Sequence, residues 1–280
     1  MKWIAMIGVL IIVCLGLAAI YGSYRWQLDT DNLRAKLING RRTIKPQIYD
    51  QKEIEGLPEP VQRFFRTVLK DGQAIVAVVK LSQQGQFNLN ETKAKWNPFT
   101  ATQLVMTQRL GFDWDARIQM APGVNAFVHD TYVLGEGNLH ASLLGLFRVA
   151  KTHSTPEANQ GELLRFFAET TWYPTALLPS QGVLWEAIND TSARATLTDG
   201  ATTVSLVFQF NAEGAIATCR AEARYRDKLT AMPWVGRFWE YSVRNGMLIP
   251  LEGEVGWEYP EGTRLYFKGR TTEIHYEFAS

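Results

Sequence analysis

Two kinds of hydrophobic order alternate along this chain. Residues 3–24 contain no charged side chain, and 4–20 are almost wholly aliphatic. Beyond a polar stretch at 26–45, apolar and polar positions alternate mainly at period two, the spacing of half-buried strands. Such runs fall at 74–81, 100–109, 113–120, 125–134, 139–149, 183–188, 192–198, 202–210, 215–226, 253–259 and 263–278. In 113–120 the alternation is strict: Trp114, Ala116, Ile118 and Met120 against Asp113, Asp115, Arg117 and Gln119. The apolar faces would bury Trp114 and Ile118 and turn Asp113, Asp115 and Arg117 to solvent. In the last run the apolar phase slips, and a bulge near Gly269 would absorb the slip.

Helical spacing interrupts the strands twice. Leu57-Pro58-Glu59-Pro60 introduces an entry helix with Pro60 in its first turn. Its stripe of Val61, Phe64, Phe65, Val68 and Leu69 opposes the basic Arg63, Arg66 and Lys70, which suits either anionic headgroups or plain solvation. The central stretch 161–180, GELLRFFAETTWYPTALLPS, reads as the second helix, stopped by Pro174 and followed by an apolar loop closed by Pro179. Glu162, Arg165 and Glu169 line up along it.

These elements predict a mainly β protein. About eleven antiparallel strands form one large curved sheet, an open half-barrel, with an entry helix and a central helix and a transmembrane helix before them. The expected division is an anchor at 1–24, a stalk at 25–56 and a single β-rich domain at 57–280. The apolar run is long enough to span a bilayer, which takes roughly 20 residues. An uncleaved single-pass anchor fits better than a signal peptide, because no small-residue cleavage pair precedes a polar start and Ile11-Ile12-Val13-Cys14 is no lipidation site. The membrane side stays open. Arg25, Arg34, Lys36, Arg41 and Arg42 favour a cytoplasmic domain, and the habit of signal anchors favours the opposite.

Several motifs are more specific than periodicity. Arg165-Phe166-Phe167-Ala168-Glu169 followed by Trp172-Tyr173-Pro174-Thr175-Ala176-Leu177-Leu178-Pro179-Ser180 resembles the signature of a bacterial family built on a domain of unknown function. So do Gln62-Arg63-Phe64-Phe65-Arg66, Gly111-Phe112-Asp113-Trp114-Asp115-Ala116-Arg117, Asp130-Thr131-Tyr132-Val133-Leu134-Gly135-Glu136-Gly137 and Met232-Pro233-Trp234. The resemblance covers nearly everything after Gly56 and implies no activity. The order helix, strands, helix, strands is similar to the open half-barrels that carry bacterial lipids and lipoproteins, whose helices plug the concave face.

Composition narrows the chemistry. A net charge of +1 gives no electrostatic reason for a nucleic-acid partner. Nine Trp, ten Tyr and fourteen Phe suit a β core or an apolar cavity. Cys14 lies in the apolar run and Cys219 in a strand, which argues against a mutual disulfide. His129, His140, His153 and His275 lack ligand spacing, so no metal or cofactor is expected. No phosphate loop and no nucleophile motif is present.

Three sets of candidates remain. Arg165 and Glu169 could orient a headgroup, serve as acid and base, or satisfy each other. Phe166, Trp172, Tyr173, Leu177 and Leu178 could border a hydrophobic pocket or plug the core. The row Ala217, Cys219, Ala221 and Ala223, opposite Arg220, Glu222 and Arg224, leaves room for a close helix or for a ligand. His129 and Asp130 point to opposite faces. The expected function is a membrane-anchored domain binding a lipid or other hydrophobic molecule in a curved sheet. The alternatives are an enzyme on an apolar substrate using Arg165 and Glu169, and a structural membrane protein without a ligand.

Overall fold

Each run of strands folds into an antiparallel meander, and the two meanders join edge to edge. The first comprises β1 (Val76–Asn88), β2 (Trp96–Met106), β3 (Gly111–Ala121), β4 (Val124–Val133), β5 (Glu136–Leu143) and β6 (Phe147–Thr152). The second comprises β7 (Leu184–Asn189), β8 (Ser192–Asp199), β9 (Thr202–Phe210), β10 (Ile216–Tyr225), β11 (Ala231–Arg244), β12 (Met247–Tyr259) and β13 (Gly262–Phe278). Pairing of β1 with β13 makes one 13-stranded sheet with β6 and β7 at its edges. The computed structural model describes residues 2–43, 45–90 and 94–280. Met1, Ile44 and 91–93 lie outside the description, as do the side chains of Ile4, Ala5, Ile11, Ile12 and Leu15.

The sheet has more strands than the eleven expected, for two local reasons. The run 139–149 is two strands, because Leu144 and Gly145 take positive φ in a turn whose leucines hide it from a hydrophobicity pattern. The stretch 231–244 carries Pro233 and Gly236, which weaken a strand reading, yet it pairs with β12 along its length. The expected slip near Gly269 is realised on both sides of it, as irregularities at Tyr266 and at Thr272.

Helix α3 (Pro156–Glu169) begins earlier than expected, where Thr155 accepts from the Ala158 amide and Pro156 takes the first turn. It links the two sheet edges in sequence, so the chain crosses the concavity, packing on β3, β4 and β5 and on β9 and β10. Short 3-10 turns at Thr170–Trp172, Pro174–Leu177 and Pro179–Gln181 follow. The Thr175 hydroxyl accepts from the Val76 amide, and Tyr276 donates to the Trp172 carbonyl. With α2 (Glu59–Val68), whose Phe64 packs on Phe210, they close the end of the sheet where β1 begins. The basic stripe of α2 lies at this closed end, where Arg63 donates to the Asp190 carbonyl.

Helix α1 (Lys2–Asn39) runs unbroken from the expected anchor into the stretch expected as a stalk and ends at Asn39. Gly22, Trp26, Thr30 and Leu37 are buried along one helical face against the convex side of β2, β3 and β4. Gly40 meets Leu134 at the closed end. Gly22 meets the β5–β6 turn at the opposite end, where a Cβ on Gly145 would lie 2.6 Å from the Gly22 carbonyl oxygen. The helix before Gly22 exposes Trp3, Met6, Ile7, Val9, Leu10, Val13, Leu17 and Ile20. The sequence predicts a membrane span at 1–24, but among the described residues no helix is long and apolar enough to cross a membrane.

Candidate functional site

Between α3 and the centre of the sheet lies a cavity of about 430 Å³. Its floor is apolar because alternate residues of each strand share a face: Trp114 and Ile118 from β3, Ala126 and Val128 from β4, Leu139 and Ala141 from β5. Phe87 of β1 carries it to the seam between the meanders, Trp234, Val255 and Phe267 continue it into the second, and Ala168 and Trp172 roof it. Leu89, Met120 and Val149 line it and are exposed. They sit at the end away from α2, so the cavity opens there, at the end where α1 meets the β5–β6 turn.

Polar groups enter this lining at a few points. The Arg165 guanidinium pairs with Asp130 and, at 2.8 Å, with Glu169. Glu169 also accepts from Gln103 at 2.5 Å. The ring faces of Phe112 and Trp114 lie about 5.0 Å and 4.9 Å from the same guanidinium. Two adjacent carboxylates strengthen its hold on its proton. Glu162, one turn before Arg165, has its carboxyl pushed well above the usual range by burial and by Asp130, to which it hydrogen-bonds. Asp130 Oδ1 and Glu162 Oε2 are both buried and face no donor, which favours a protonated carboxyl at this pair.

The expected small-residue row is broken by two bulges in β10. Register shifts at Ile216/Thr218 and at Ala221/Arg224 leave Ile216, Cys219, Ala221 and Arg224 buried, while Ala223 is exposed and Ala217 half-buried. Arg224 therefore faces inward and lines the cavity rather than lying on the watery face with Glu222. Cys219 and Ala221 belong to the core where α3 packs on β10, and burial pushes the Cys219 thiol up to about 12.

Of the residues proposed from sequence, Arg165, Glu169 and Trp172 line the cavity. Phe166, Tyr173, Leu177 and Leu178 are fully buried in the core around α3, with Tyr173 donating to the Phe166 carbonyl at 3.1 Å. The lining residues Tyr266, Phe267 and Arg224 do not stand out in the sequence, and Trp234 does so only within the motif Met232-Pro233-Trp234, with nothing to mark it as a cavity residue. Irregular register in β10 and β13 hides their direction, and only the aromatic density of the C-terminal strands hints at them.

Asp113, Asp115 and Arg117, expected in solvent, lie under α1. Asp113 Oδ1 lies 2.7 Å from His129 Nδ1, whose Nε2 lies 3.0 Å from Thr30 Oγ1. Arg34 Nε donates to Asp113 and Trp26 Nε1 to Asp115, each at 2.8 Å. Hydroxyl, imidazole and carboxylate stand in the order of an acyl-transfer triad. All three are buried on the convex side, and the cavity is on the other side of the sheet, so the set ties α1 to β3 and β4.

One curved antiparallel sheet, crossed by a helix and enclosing an apolar cavity, is the class of protein these observations define. The chain belongs to the Family of unknown function (DUF6920), whose model matches residues 55–276. A comparison with curated proteins finds no match. Among solved structures, the chain is similar to a LolA superfamily protein from Nitrosomonas europaea, with a TM-score of 0.41 and 10% identity over 76% of this chain and 91% of that one. It is also similar to a beta-barrel-like protein of the domain of unknown function DUF1849 from Brucella abortus, with a TM-score of 0.26 and 8% identity over 73% of this chain and 99% of that one.

Proposed function

We propose that this protein is a membrane-anchored binding domain that takes a lipid or another hydrophobic small molecule into the cavity beneath α3. The cavity carries the reading. Its volume of about 430 Å³ falls within the roughly 300–1,000 Å³ of small-molecule sites, and its walls are almost wholly aliphatic and aromatic. Water gains few hydrogen bonds among Phe87, Trp114, Val128 and Phe267, so an apolar occupant is favoured there over solvent. The anchor rests on the aliphatic run at 4–20 and on the exposed apolar side chains of α1 before Gly22. The exposed apolar part of α1 and the cavity opening share one end of the sheet, an arrangement that, with that segment in a bilayer, would let a ligand pass between membrane and cavity.

The test is to purify the full-length chain in its native state and analyse its organic extract by mass spectrometry. A hydrophobic molecule near equimolar with protein is the expected result. A chain that carries none, and whose melting temperature no added lipid raises, would overturn the reading.

A further inference from the structure

Two strand irregularities in the second meander, one in β10 and one in β13, each turn one polar residue inward, and the two residues meet. The bulge at Ala221/Arg224 brings Arg224 in from β10. The slip at Val255/Gly256 against β13 lets both Tyr266 and Phe267 line the cavity, although they are sequence neighbours. Arg224 Nη1 donates to Tyr266 Oη at 3.1 Å, and Trp234 Nε1 donates to the same oxygen at 2.9 Å. Arg224 Nε donates to the Gly161 carbonyl of α3 at 3.2 Å. The guanidinium lies 5.0 Å from the Trp234 ring centroid. The side chain is thus fixed on three sides.

The fourth side lacks a counter-ion. Arg224 is 8% exposed, and among the described residues it makes no ion pair, and its Nη2 donates no hydrogen bond. Arg165, the other arginine of the lining, is already held by Asp130 and Glu169. Of the carboxylates around Arg224, Glu162 acts on it most strongly, but burial and Asp130 raise the Glu162 carboxyl well above the usual range, which weakens it as a counter-ion, and it makes no salt bridge to the guanidinium among the described residues. A buried cation without a partner is costly, and a guanidinium matches the oxygens of a carboxylate or phosphate through paired donors.

Resting on the binding function proposed above, we propose that Arg224 receives the oxyanion head of an amphiphile, a carboxylate or a phosphate, whose apolar part fills the cavity toward Trp114 and Phe267. Tyr266 and Trp234 hold the guanidinium in place; they are positioning residues.

The experiment titrates the full-length chain, in a nonionic detergent with empty micelles as blank, with cis-parinaric acid and with its methyl ester. Lysophosphatidate and a neutral monoacylglycerol serve as competitors. The acid should bind about tenfold tighter than the ester or better, as expected for hydrogen bonds to a charged group. Arg224→Gln should bring the affinity for the acid down toward that for the ester. Stronger displacement by lysophosphatidate than by the acid itself assigns the head as phosphate, and the reverse assigns it as carboxylate. Equal affinities of acid and ester for the unaltered chain overturn the headgroup site while leaving the cavity reading intact, whatever the variant does. So does a preference for the acid that survives in a folded Arg224→Gln. Failure of acid, ester and monoacylglycerol alike removes the cavity reading and this one with it.

Discussion

The indole of Trp26 stacks on the imidazole of His129, with centroids 4.6 Å apart and planes 9° from parallel. The contact joins α1 to β4, and hydrogen bonds from Trp26 and Thr30 to Asp115 reinforce it. The C-terminal half of α1 is therefore a layer of the fold, covering carboxylates that would otherwise face water. Trp26→Ala should cost about 3–5 kcal/mol, as for other buried tryptophans, and lower the melting temperature on the order of ten degrees. Removing 1–24 should leave this layer in place, and removing 1–42 should not. Thermal denaturation of the three variants checks it; a Trp26→Ala protein as stable as the parent would show α1 to be a passive tether.

The Arg165 cluster gives a second prediction. Glu169 is buried and serves both Arg165 and Gln103, so Glu169→Ala leaves a guanidinium and an amide without their acceptor. Loss of one member of a buried pair costs about 3–5 kcal/mol. Glu162→Ala should cost less, because Glu162 makes no ion pair with Arg165 within salt-bridge range among the described residues. Equilibrium urea unfolding of both variants decides, and equal small losses would mean that the stripe is solvated.

The ion stripe is legible in the sequence because its members recur at helical spacing with apolar neighbours. Trp114 and Ile118 are legible for the corresponding reason, strict alternation in β3. Legibility ends where a second layer or an irregular register intervenes. Period two separates the faces of β3 but does not tell which faces are covered, so Asp113 and Asp115 read as solvent residues although α1 lies over them. The clue is present in Trp26, Thr30 and Arg34, each four residues after the last, yet three positions in a polar stretch resemble any solvated helix. In β10 the two bulges defeat the alternation itself. A row of small residues promises a cavity wall, and the chain instead supplies a packed core at Cys219 and Ala221 and an inward arginine at Arg224.

The raised carboxyl of Glu162 makes stability depend on pH. Burial and Asp130 hold its carboxyl well above its ordinary 4.5. The folded protein thus keeps a proton that the unfolded chain releases, and this contribution is complete below 4.5 and lost as pH rises through the folded value. Glu162→Gln keeps a hydrogen-bond donor toward Asp130 without the ionisation. Its melting temperature relative to the parent should therefore climb between about pH 5 and pH 8. A difference that stays constant over that range would mean that Glu162 is ionised throughout.

A paired substitution separates packing from ligand space on the concave face. Ala221 is 1% exposed, sits in the core where α3 packs on β10 and is not part of the cavity wall. An indole there has nowhere to go, so Ala221→Trp should cost on the order of 1–3 kcal/mol or more. Ala141 lines the cavity from β5, beside Val128 and Ala150 of the neighbouring strands. An indole at that position enters open volume and makes new contacts with apolar walls. Ala141→Trp should accordingly fold with a melting temperature close to the parent's, while the hydrophobic molecule recovered from the native protein falls to a small fraction. Calorimetry and mass spectrometry on the same preparations read both quantities. A stable Ala141→Trp protein with an undiminished ligand would place that ligand elsewhere on the molecule, and a strongly destabilised one would mean that the cavity closes up in solution.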